Sequence, residues 1–264
     1  MTITQHGKKK EDGVWDTIKV VIQALLIAFV IRTFLFQPFN IPSGSMYPTL
    51  KIGDYLFVSK LSYGYGPYSF NFTIPGIGIK FGPMPFVGRI VLADTPERGD
   101  VLVFKLPRDQ ETDYIKRVIG LPGDRIQMRE GMLYLNGEAV KREPVEPFVD
   151  PQGEGRGSPV PQIRETLPNG VSFYTLDAQP RSSGDNTQEF VVPENHYFMM
   201  GDNRDNSSDS RIPVSEGGVG FVPFDNIEGR ANIIFFSIEE GVAGWQIWNW
   251  PWAVRGSRLL TGIH

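Results

Sequence analysis

Two serines stand either side of a glycine in NIPSGSMYPTL, residues 40–50, with prolines bracketing the stretch. As a turn, Ser43-Gly44-Ser45 needs no explanation, because Pro and Gly each favour turn conformations. As chemistry, one hydroxyl is a nucleophile if a base elsewhere takes its proton, since serine is weak at its free pKa. The usual base is scarce. The chain has three histidines, of which His6 lies in a polar tail and His264 is the last residue, leaving His196. There is no cysteine, which excludes disulfides, thiolate zinc sites and a cysteine nucleophile.

A lysine can replace the imidazole. It must be neutral to act, and burial lowers its pKa because desolvation disfavours the ammonium. The search is therefore for a lysine inside an apolar strand. Lys116, in DYIKRVIGLPGD (113–124), is the best candidate, with Tyr114, Ile115, Val118 and Ile119 around it. Strand alternation puts Lys116 on a face with Tyr114 and Val118, and Ile115 and Arg117 on the other. The plain alternative is a lysine at a strand edge whose amine snorkels to water.

A third stretch, MGDNRDNSSDSR (200–211), holds three Asp, two Asn, three Ser and two Arg in twelve residues. Read plainly it is a polar loop whose Asp and Asn satisfy their own backbone. Read functionally it supports a site, with a serine hydroxyl orienting the lysine amine and Asp–Arg pairs stiffening the loop. A metal site is disfavoured: arginines interleave the carboxylates and the spacing departs from the EF-hand pattern.

Residues 1–13 form a polar, basic tail, and 14–36 read as a transmembrane anchor. From Val20 to Phe36 only Gln23, Arg32 and Thr33 interrupt the apolar residues. A cleaved signal peptide would need small residues after the run, and here Arg32 and FLFQPF follow. Lys8, Lys9 and Lys10 place the N-terminus in the cytoplasm. Residues 37–264 then lie on the far side. Plentiful glycine (29) and proline (21), with short alternating or apolar runs, predict a mostly β domain of antiparallel strands. LPGD and LNGE mark turns within 113–140. Residues 142–190, rich in Pro, Gly and charge, read as an insertion or long loop within a smaller β region, with a short hairpin near Val171–Leu176. The net charge of −4 offers nothing to nucleic acid. Two apolar, aromatic stretches, 68–88 and WQIWNWPW (245–252), fit either core packing or contact with the bilayer interface, where Trp is enriched.

PSGSMYPTL (42–50), RGDVLVFKLP with DYIKRVIGLPGD (98–124) and GDNRDNSSDSR (201–211), in this order behind an anchor, resemble bacterial type I signal peptidases. The resemblance covers the anchor and most of the chain from 37 to about 237. It implies a membrane-bound serine endopeptidase with a Ser-Lys dyad and no cofactor or metal, which cuts signal peptides from exported preproteins after Ala-x-Ala sites. Ser45 would be the nucleophile and Lys116 the general base. The Ser45 backbone N–H and the Ser43 hydroxyl would form the oxyanion hole. Ser207 would orient the lysine amine, Asp209 and Arg211 would pair nearby, and His196 would be structural. Matching positions name Ile41, Pro42, Met46, Leu50, Tyr114 and Ile115 as pocket walls, with Phe39 at the neighbouring pocket. The expected setting is the bacterial inner membrane, single-pass, with the catalytic domain on the outer face as a monomer near the secretion translocon.

Two alternatives share some of these features. Self-cleaving repressors also use a Ser-Lys pair, but they should carry a DNA-binding helical domain where this chain has an apolar helix. A membrane-tethered, peptide-binding β domain would not depend on Ser45 or Lys116.

Overall fold

The computed structural model describes residues 13–70, 72–73, 80–82, 89, 94–150, 157–179, 181–242 and 245–263. His6, Lys8–Lys10, His264 and most of the stretch 68–88 lie outside the described residues. One long helix, α1 (Gly13–Phe34), opens the chain. Trp15–Phe34 is 20 residues, long and apolar enough to cross a membrane, and none of it is buried against the protein. The helix ends two residues before the expected boundary at Phe36. There the chain enters β1 (Phe36–Asn40), whose backbone pairs with β2 (Asp54–Ser59) from Phe36 onward. The last turn of the helix is tied to the segment after β2. Tyr65 OH donates to the Phe34 carbonyl at 2.6 Å and Lys60 Nζ to that of Thr33 at 3.4 Å, which satisfies carbonyls that a helix end leaves without partners.

The rest of the main sheet is β3 (Val101–Lys105), β4 (Asp113–Gly120), β5 (His196–Met200), β6 (Val222–Pro223), β7 (Ile227–Ser237) and β8 (Thr261–Gly262). Its order is β1-β2-β7-β3-β4-β5-β6, with β8 beside β7, and every pairing is antiparallel. The run VLVF in β3 has no polar face because both sides are covered. Val101 and Val103 join a cluster with Ile41, Met46, Leu50 and Leu56. Leu102 and Phe104 join one with Val118, Tyr197 and Met199. Burying each such side chain contributes about 1.5–3 kcal/mol. The alternation expected for β4 holds: Ile115 packs on the first cluster, and Tyr114 on the second.

Residues 125–191 form two smaller sheets. One orders Phe190–Val191, Arg125–Arg129, Met132–Leu135 and Glu138–Ala139. The span between the two expected turns, Arg125 to Leu135, is a hairpin, turned at Glu130 and Gly131, both at positive φ, as are Asn136 and Gly137 in the expected LNGE turn. Of the two readings of 142–190, insertion in a smaller β region or long loop, the other sheet is at odds with the loop: Lys141–Phe148, Val160–Thr166 and Ser172–Leu176 pair in that order. Pro144 and Pro147 hid the first of these strands, and an edge strand is where proline is tolerated. The hairpin expected near Val171–Leu176 is the last two strands of this sheet. Ile119, Phe198 and Met200 of the main sheet share one core with Ile126, Leu133 and Phe173, so the smaller sheets are packed onto it.

Candidate active site

β1 stops pairing after Ile41, whose N–H still donates to the Asp54 carbonyl at 2.9 Å. Pro42 carries no N–H to continue the ladder, and the chain turns into one 3₁₀ turn, Gly44–Met46. Two bonds close it, from Tyr47 N–H to the Gly44 carbonyl (3.1 Å) and from Leu50 N–H to that of Met46 (2.9 Å). Met46 and Leu50 are fully buried and fasten the turn to the core. Ser45 sits at its centre, 9% exposed, with Oγ hydrogen-bonded to Lys116 Nζ at 2.5 Å.

Lys116 reaches that point from β4 and is 3% exposed. Burial is the largest influence on its amine and lowers its pKa. Asp209 and Asp202 pull it back up, Arg211 opposes them, and the balance lies at about 8. The amine also stands 5.4 Å from the centre of the Tyr114 ring. A serine hydroxyl beside a buried amine whose pKa is lowered has the parts that nucleophilic attack with a general base requires.

The loop 201–211 holds this pair in place. Asn203 N–H donates to the Ser45 carbonyl (3.1 Å), and its side-chain amide to the Gly44 carbonyl (3.0 Å). Asp202 accepts from Arg117 Nε (2.8 Å) and from the second guanidinium nitrogen (2.7 Å), and from Thr49 Oγ1 (2.5 Å), just past the Ser45 turn. Arg204 pairs with Glu165 through two bonds of 3.1 and 2.6 Å, tying the loop to the three-stranded sheet. Asp209 and Arg211 form the expected pair, with both bonds at 2.9 Å. Burial raises the Asp209 carboxyl, but the guanidinium charge and bonds outweigh it and hold it below the usual range. Gly201 belongs here because a Cβ would lie 2.5 Å from the Ser45 carbonyl oxygen.

A cleft of about 390 Å³ opens over Ser45 and Lys116, lined also by Pro42, Ser43, Thr112, Asp113, Tyr114, Ile115, Asn206 and Ser208. Three of the expected walls, Pro42, Tyr114 and Ile115, are therefore on it. Ile41, Met46 and Leu50 are not: they are buried in the core beneath, and the half-buried Phe39 packs on the same cluster. Their apolar character serves packing. Ser43 is exposed on the cleft beside Ser45. Ser207 makes no bond to Lys116; its Oγ is buried beside Asp209, whose carboxyl it helps to hold down. His196 is remote from this chemistry, its Nδ1 bonded to the Glu194 carbonyl at 2.8 Å.

Sequence reasoning missed Arg117, Asp202, Thr49 and Asn203. A signal for the first was available. Alternation turned Arg117 inward on an apolar strand, and a buried guanidinium requires a carboxylate. Which of the loop's carboxylates would meet it depended on the fold.

The family model described as "Signal peptidase, peptidase S26" matches residues 14–236. A protein named Signal peptidase I from Rickettsia typhi is 39% identical over 255 residues, covering 91% of this chain and 90% of its own. Another of that name from Rickettsia akari is 41% identical over 278 aligned positions, covering 100% and 97%. A crystal structure of a signal peptidase I from Enterococcus faecalis V583 aligns at 29% identity and TM-score 0.31, over 52% of this chain and 97% of that one.

Proposed function

Since this chain belongs to the signal peptidase family, peptidase S26, and is a serine endopeptidase of that family, we propose that it cuts exported preproteins after Ala-x-Ala sites with Ser45 as nucleophile and Lys116 as general base. The observation that carries this reading is the 2.5 Å contact between Ser45 Oγ and a buried lysine amine whose pKa is lowered to about 8.

Lys116 takes the Ser45 proton as Oγ attacks the scissile carbonyl. The Ser45 N–H and the Ser43 hydroxyl donate to the oxyanion, and losing one such donor typically costs about 10²–10³ in rate. The protonated amine then delivers its proton to the leaving nitrogen. Water, activated by the same amine, hydrolyses the acyl-enzyme. Ser207 is the group to orient Lys116. Its hydroxyl is buried beside Asp209, and its oxygen can accept a bond from the amine. Small apolar side chains enter between Pro42, Tyr114 and Ile115. Among the described residues, β5 pairs with β4 along its second half only (Arg117, Val118 and Gly120), so Asp113–Lys116 has a strand, β3, on one side only. That edge suits a substrate backbone added as a strand.

Because the neutral amine is the active form, kcat/KM should fall as pH drops through about 8, roughly tenfold per unit. Cleavage of a preprotein with an Ala-x-Ala site, followed in detergent from pH 6 to 10, checks both the reaction and its acid limb. A rate undiminished at pH 6 contradicts a lysine base.

The setting we propose is the bacterial inner membrane, with α1 spanning it, the N-terminus cytoplasmic and a monomeric catalytic domain at the outer face near the translocon. Trp245, Trp248 and Trp252 are largely exposed, Trp252 at 80%, which favours interface contact over packing. Trp250 instead meets the Phe236 ring at 5.0 Å. Replacing the three exposed tryptophans with Ser in a protein lacking residues 1–35 is expected to weaken liposome sedimentation several-fold. Unchanged sedimentation would show that they are not lipid contacts.

A further inference from the structure

A second cavity, of about 500 Å³, adjoins the cleft. Asn206 and Ser208 line both. The two spaces differ in chemistry. Around Ser45 the signal-peptide side offers Pro42, Tyr114 and Ile115. Beyond Asn206 and Ser208 the walls are mainly polar, with Ser182, Ser183, Thr187, Asp205 and Glu216 beside one large apolar side chain, Ile212. The two arginines that also border it are already engaged, Arg204 with Glu165 and Arg211 with Asp209. Of the two carboxylates on this wall, Asp205 is half-buried and accepts from the Ala178 and Gln179 N–H groups, so the exposed charge at the rim is Glu216.

A chain cut at Ser45 must leave the nucleophile in two directions. The residues before the cut are small and apolar, and the cleft walls match them. Those after the cut begin the mature protein and are not so restricted. Resting on the dyad reading above, we propose that the second cavity is the binding site for the first mature residues of the preprotein. It would take an extended polar segment, favouring a basic side chain over an acidic one opposite Glu216. Its volume lies within the usual range of ligand sites, about 300–1,000 Å³. Hydroxyl and amide walls suit variable sequence, because they both donate and accept hydrogen bonds. Coulomb attraction across a partly exposed rim adds selectivity of modest size that salt screens.

The test uses the full-length enzyme in detergent and two peptides that share one Ala-x-Ala segment. One continues for a single residue past the cut and the other for five. The long peptide is expected to have at least a tenfold higher kcat/KM. Ser183→Trp, which fills the cavity from an exposed position, should shrink that ratio severalfold, whereas Ser183→Ala should keep it. Glu216→Lys should invert the preference between long peptides carrying Lys or Glu at the third mature residue. Equal ratios in wild type and Ser183→Trp, or loss of both peptides in parallel, would overturn the assignment. If wild type cleaves neither peptide, the dyad reading itself fails, which is a separate outcome.

Discussion

Ser45→Ala and Lys116→Met are each expected to lower kcat/KM by about 10⁴–10⁶, and the double variant should be no worse than either single one. Residues that act as one unit show such non-additivity, because removing either leaves the other with nothing to do. What remains is the modest catalysis of the oxyanion donors and substrate binding. Stability should move the other way for the lysine. Lys116 is 3% exposed and burial disfavours its ammonium form, which predominates below about pH 8, so at neutral pH an unbranched apolar side chain of similar length relieves that desolvation. Lys116→Met should therefore unfold at the same temperature as wild type or a higher one. A variant that loses activity and stability together would mark Lys116 as structural instead.

Asp202→Ala is expected to cost about 3–5 kcal/mol of stability, the usual consequence of leaving a buried charge without its partner. Arg117 is 0% exposed and its guanidinium has two bonds to this carboxylate. Its remaining bonds, to the Gly99 carbonyl at 2.7 Å and Thr49 Oγ1 at 3.3 Å, carry no opposing charge. At about 2–4 °C per kcal/mol for a chain of this size, the midpoint of thermal unfolding should fall by roughly 10 °C. Activity should fall as well, since Thr49 and the loop that carries Asn203 lose their brace against the Ser45 turn. Arg117→Met combined with Asp202→Leu removes both charges and should recover much of the stability. A loss below about 1 kcal/mol for Asp202→Ala would mean that the pair is not what fastens the loop.

How far the site could be read from the sequence differs from residue to residue. Ser45 and Lys116 were legible because scarcity narrowed the choice: one credible histidine, no cysteine and one lysine amid Tyr114, Ile115, Val118 and Ile119. The long apolar helix was legible because length and composition alone mark it. The partners of Arg117 were not, since Asp202, Asp205 and Asp209 look alike in the sequence, and only the pairing of β5 with β4 brings Asp202 to Arg117. Of the expected pocket walls, Pro42, Tyr114 and Ile115 line the cleft, and the others do not for a related reason. Ile41, Met46 and Leu50 have the right size and polarity for a small apolar pocket, but the same properties send them into the core. The sheet within 142–190 was obscured because its outer strand keeps prolines on a free edge, where they break no ladder.

If Ser45 attacks the substrate, the acyl-enzyme is the direct trace of that attack. Enzyme mixed with excess preprotein, quenched in acid before the first turnover ends, digested and weighed by mass spectrometry should show the signal-peptide fragment esterified to the segment containing Ser45, and no such adduct in Ser45→Ala. An ester on Ser43, Ser207 or Ser208, or product released by Ser45→Ala at the wild-type rate, would contradict it.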